Sequence, residues 1–149
     1  MPVEIVRRAA GRAFSANQLK KIALGILALV GQDQAELSVA LVDNAAIRKL
    51  NAKFRARDYP TDVLSFPAGD KLPMGVRLLG DVVISVEKAK QQAKERRRSL
   101  NEEMALLLIH GILHLLGYDH ERSAKEARKM RGLEKRIYRE LCDRGILAL

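Results

Sequence analysis

The 149 residues include one cysteine, no tryptophan, three phenylalanines, three tyrosines and four prolines. The lone Cys142 excludes a disulfide framework and any multi-cysteine zinc site within one chain. Apolar runs are short as well. The longest, 22–30 and 104–109 continuing through His110 to 116, fall well below the ~20 residues that span a bilayer. The stretch MPVEIVRRAAGR holds no apolar core of a secretory signal, so the expected location is the cytoplasm. Scarce aromatic residues argue against an interfacial membrane anchor and against base-stacking platforms for nucleic acid.

What is present is apolar (48%) and charged (30%) in the proportions of a folded soluble protein. The length suits one domain, 1–149, with its own core. The formal charge is +9, from 27 basic and 18 acidic residues. Residues 86–98 carry six positive and two negative charges, and residues 121–149 carry nine and five, so each segment has a net charge of +4. Two such segments favour a polyanionic partner, because each Lys or Arg on a phosphate releases counterions. Taken singly, either run reads better as a solvated helical face.

Periodicity divides the chain into alternating elements. Strands are expected at 3–6, 36–42, 62–66 and 79–84, with a Gly- and Pro-bearing loop (Gly69, Pro73, Gly75) between the last two. Helices are expected after Ser15, after Asp43, over 86–98 behind Ser85, over 99–116 and from Ser123 onward. Ser15 with Gln18, Ser99 with Glu102 and Ser123 with Glu126 each have capping-box spacing. The last helix carries its core stripe on Ala127, Met130, Leu133, Ile137 and Leu141. The outcome is an α+β fold with about four strands and five helices.

All three histidines of the chain lie within eleven residues, in HGILHLLGYDH. His110 and His114 are i and i+4, so they share one helix face with Cβ atoms roughly 6 Å apart. The helix around them is apolar almost all round and therefore expected to be buried. Two imidazoles there need partners, or each costs on the order of 1–3 kcal/mol. A metal satisfies both. Gly117 supplies positive φ to end the helix, and His120 beyond the turn offers a third nitrogen. Three nitrogens and one open position describe a catalytic zinc site. Asp119 or Cys142 would close it into a structural one, and Asp119 also fits as an acceptor for a histidine N–H.

His114, Gly117 and His120 overlap the extended zinc-protease pattern. The proteases, however, place a glutamate base directly after the first histidine. This chain has Gly111 there, which argues against proteolysis and suggests room beside the metal for a bulkier substrate group.

HGILHLLGYDH also resembles the signature of the YbeY family, bacterial metal-dependent endoribonucleases of rRNA maturation. Two further blocks agree, NAKFRARDYPTDVLSFP at 51–67 and LGDVVIS at 79–85. The resemblance implies a mixed four-stranded sheet flanked by helices, with one zinc ion held by His110, His114 and His120. It implies a single-strand-specific endoribonuclease of 16S rRNA 3′-end maturation and ribosome quality control, partnered by the small ribosomal subunit and its proteins, with no membrane or DNA role. The family's functional arginine falls on Arg55. Just before a Pro-Thr turn, Arg55 is suited to bidentate phosphate contact, and equally to pairing with Asp58 or Asp62. Asp58, Thr61, Asp62 and Ser65 read as turn and capping residues.

The expected reaction is metal-assisted phosphodiester cleavage, with an activated water or the ribose 2′-OH as nucleophile. The alternative is a non-catalytic ribosome-assembly factor that binds RNA and uses zinc to hold its fold.

Overall fold

The computed structural model describes residues 3–7, 14–68 and 78–147. The loop expected around Gly69, Pro73 and Gly75 lies outside them. Nine elements follow in order: β1 (Val3–Arg7), α1 (Ala16–Leu29), β2 (Glu36–Val42), α2 (Asn44–Arg55), β3 (Val63–Pro67), β4 (Leu78–Ser85), α3 (Val86–Glu95), α4 (Leu100–Leu115) and α5 (Ala124–Asp143).

The sheet order is β1-β2-β4-β3. β1 runs parallel to β2 and β2 to β4, whereas β3 pairs antiparallel with β4 at the far edge. The expected mixed four-stranded sheet with five helices is what forms. Alternation splits the core across its two faces. Val39 and Leu41 of β2 and Val82 and Ile84 of β4 join the large cluster with α1, α4 and α5. Val83 and Leu64 face the other way, toward Ile47 of α2.

α4 is the central helix. Ser99 accepts the Glu102 N–H at 3.1 Å and Glu102 accepts the Ser99 N–H at 3.1 Å, a complete capping box. At the other end Gly117 N–H donates to the His114 carbonyl and Tyr118 N–H to the Leu113 carbonyl, with Gly117 at φ +100°. That is the Schellman closure a glycine permits.

The other two boxes form only in part. Ser15 and Ser123 cap their helices, but the Gln18 amide reaches the Ile146 carbonyl and the Glu126 carboxylate pairs with Arg122.

α3 is shorter than the expected 86–98. It stops at Glu95, with Arg97 left-handed at φ 56°. Arg96 and Arg98 turn back onto Glu103 of α4 at 2.9 and 3.1 Å. Charge pairing with the next helix ends α3, where propensity alone would extend it.

Candidate metal centre

α4 sets the first two histidines side by side. Their rings lie 4.7 Å apart between centroids, and His114 Nε2 stands 3.2 Å from His110 Nε2. The Schellman turn swings the chain back, so the His120 ring comes to 5.1 Å from His110 and 5.2 Å from His114. One nitrogen from each ring lies within 4.8 Å of the others. Two imidazoles sharing a tetrahedral ion at 2.0–2.1 Å have nitrogens about 3.3 Å apart. The His110–His114 spacing already matches, and His120 stands exposed beside the pair. Three neutral nitrogen donors fit a borderline-soft divalent ion such as zinc.

Protonation is arranged to suit. Burial, then the adjacent His110 and His120, push the pKa of His114 below its ordinary value, so its ring is neutral and offers a lone pair at neutral pH. His110 Nδ1 faces Glu134 Oε2 of α5 at 2.9 Å. A carboxylate there keeps the proton on Nδ1 and leaves the Nε2 lone pair pointing at the other histidines. Sequence reasoning missed Glu134. The available signal was its place one turn from Met130 and Ile137, an acid at the edge of the apolar stripe.

Asp119 plays another part. Its carboxylate accepts the Glu121 N–H at 2.8 Å and faces Arg122 at 3.5 Å, while Arg122 also donates to the Gly117 carbonyl at 2.7 Å. These bonds lock the turn that presents His120. The Glu121 N–H, with Arg122 beside it, holds the Asp119 carboxyl below the usual carboxylate range. Neither Asp119 nor Cys142 converges with the histidines; among the described residues the clustered donors are the three imidazoles.

The histidines line a cavity of about 560 Å³ that Arg55 and Arg57 also line. Neither acid expected beside Arg55 pairs with it. Asp58 is taken by Arg48 at 2.9 and 3.3 Å. Asp62 Oδ1 accepts the Val63 N–H and the Thr61 hydroxyl. The Arg55 guanidinium donates to the Ser65 carbonyl at 3.4 Å. Buried Asn51 fixes the intervening loop by donating to the Tyr59 carbonyl.

Two readings need correction. Ser65 is no turn residue; it is buried in β3, and its hydroxyl donates to the Gly111 carbonyl at 2.9 Å. Gly111 leaves no space beside the histidines. A Cβ there would lie 2.7 Å from Val82 Cγ1 and 3.3 Å from Ser65 Oγ. Its missing side chain lets α4 rest on the sheet.

A family model described as Endoribonuclease YbeY matches residues 5–142. The chain belongs to the YbeY family. The YbeY endoribonuclease of Aquifex aeolicus is 45% identical over 130 residues, 87% of this chain and 86% of that one. The Myxococcus xanthus YbeY is 51% identical over 141 residues, 93% of this chain and 46% of a longer protein. A solution structure from Thermotoga maritima superposes with a TM-score of 0.65 at 29% identity, covering 95% of this chain and 90% of that one. YbeY membership agrees with the enzyme class expected from the sequence, a metal-dependent endoribonuclease.

Proposed function

We propose that residues 1–149 act as one cytoplasmic endoribonuclease domain that cuts single-stranded RNA during 16S rRNA 3′-end maturation and ribosome quality control. Its partner on this reading is the small ribosomal subunit. His110, His114 and His120 would hold one zinc ion. The observation carrying the reading is the convergence of three imidazole nitrogens, one of them backed by Glu134, in a cavity also lined by Arg55, whose partner among the described residues is a carbonyl and not a carboxylate.

Bound there, the ion would supply Lewis acidity to a phosphoryl oxygen and to the attacking water or 2′-OH. The rest falls to the chain. Arg55 places a planar guanidinium where charge builds on the phosphate, with no carboxylate to neutralise it. Glu134 holds the proton on His110 Nδ1 throughout, so the Nε2 lone pair stays available. The Asp119–Arg122 clasp keeps His120 in reach. A backbone-reading cavity of this kind suits a single strand and needs no stacked aromatic residues.

The test is cleavage of an end-labelled, 3′-extended small-subunit rRNA fragment by wild type and H114A, with a chelator control and circular dichroism. Cleavage by folded wild type alone is expected. Equal cleavage by both proteins, or by neither with RNA binding intact in the presence of small subunits, overturns it. A 2′,3′-cyclic phosphate product would assign the attack to the 2′-OH.

A further inference from the structure

A second cavity, about 530 Å³, opens on the other side of His110. His110 and Asp62 line both, so the two cavities adjoin at these side chains. Resting on the ribonuclease reading above, we infer that this second groove holds the stretch of single-stranded RNA adjoining the phosphodiester that is cut.

Leu106 and Leu107 of α4 and Tyr138 of α5 form its apolar lining, with a single aromatic ring, so a strand lying there is held by its backbone rather than by stacked bases. The rim is cationic from both sides. Arg131 and Lys135 stand on α5 a turn apart, exposed, and form no ion pair among the described residues. Arg96 and Arg98 face them from the α3–α4 turn.

The groove also holds four acids, Asp62, Glu102, Glu103 and Glu134, and they sit deeper than the rim: Glu103 is buried and the other three are half-buried, whereas Arg131 and Lys135 are exposed. Glu103 has no exposed surface and is held between the two arginines, one negative charge against two positive. Glu102 accepts the Ser99 N–H and the Tyr138 hydroxyl. Glu134 serves His110. A buried ion pair contributes little net stability, so Glu103 is better explained by what it fixes. It orders two guanidiniums that keep half and about two-fifths of their surface, 50% and 38%, in solvent. Ordered guanidiniums facing a flexible strand lower the cost of binding its phosphates.

Removing Arg96 or Arg98 would strand the buried Glu103 charge, so the test uses the α5 rim. Fluorescence anisotropy of 5′-labelled oligouridylates of four and twelve residues is measured on the full metal-loaded chain, with strand integrity checked after each titration. R131Q/K135Q is compared with R128Q/R139Q, which removes equal charge from exposed positions of the same helix outside the groove. Circular dichroism verifies that both variants fold.

Wild type is expected to bind the twelve-residue strand more tightly than the four-residue one. R131Q/K135Q should lose about tenfold on the longer strand, with a salt slope shallower by about 1.4 for two lost phosphate contacts. The control pair should stay within about twofold. Equal losses in both pairs, or none in either, overturn the groove assignment, while wild-type binding leaves the ribonuclease reading standing. Wild type that binds neither strand takes down both.

Discussion

Replacing Glu134 by Gln keeps the side chain's size and removes the charge that faces His110 Nδ1. Orienting carboxylates of this kind are worth about 10–100-fold in metal affinity. E134Q should therefore bind zinc that much more weakly in a competition titration against a chelating dye, with an unchanged circular dichroism spectrum. Gly111 makes the complementary point. In G111A the new methyl meets Val82, a short branched side chain with little freedom to move. A loss of about 1–3 kcal/mol in denaturant unfolding is expected, and V82A should restore part of it in the double variant. His110 and His114 were legible because spacing alone brings i and i+4 together, and His120 because Gly117 marks the turn that returns the chain. Glu134 was not, because its contact with His110 joins two helices across 24 positions of sequence.

Most elements were legible for local reasons: cap residues, alternation, and apolar spacing at 3.6. The α3–α4 junction was not. An arginine run favours continued helix, and what ends it is the non-local demand of Glu103. The α4–α5 contact carries a pH dependence of definite sign. The Ser99 N–H first, and then the Tyr138 hydroxyl, hold the Glu102 carboxyl below the usual carboxylate range, with Arg98 adding to the effect. Burial first, and then the bond to Glu102, raises the Tyr138 phenol, with Cys142 adding to it. A lowered carboxyl contributes stability above its unfolded pKa of about 4.3 and loses it as pH falls through the folded value. A raised phenol contributes below about 10 and loses it as pH rises. Thermal stability should thus decline on both flanks, and E102Q should flatten the acid flank while also shrinking the alkaline one.

Considered whole, the molecule builds its core without calling on the histidine cluster. Leu108, Ile109, Ile112 and Leu113 of α4 are fully buried against the sheet and neighbouring helices, and both α4 ends are capped. Chelation should leave the helical circular dichroism intact and lower the unfolding free energy only by the binding term, about 2.7 kcal/mol at a free metal concentration 100 times Kd. Unfolding on chelation would instead favour the zinc-held assembly factor. Among the described residues no helix is long and apolar enough to cross a membrane. Fold class and family were legible at this scale because the motif blocks fall on the strands and helix that position the site. The Arg55 environment was not, since only the folded α2–β3 loop reveals that Arg48 claims Asp58.

The link from His110 to Glu134 also orders events in time. The groups around the cavity enter the chain as Arg55, His110, His114, His120 and, last, Glu134. Emerging from the ribosome N-terminus first, the polypeptide can pair β1, β2 and β4 long before α5 exists. His110 then lacks its acceptor until the middle of α5 has been made. A chain made only as far as the Schellman turn and His120 therefore holds three histidines but not the carboxylate that fixes the tautomer of the first.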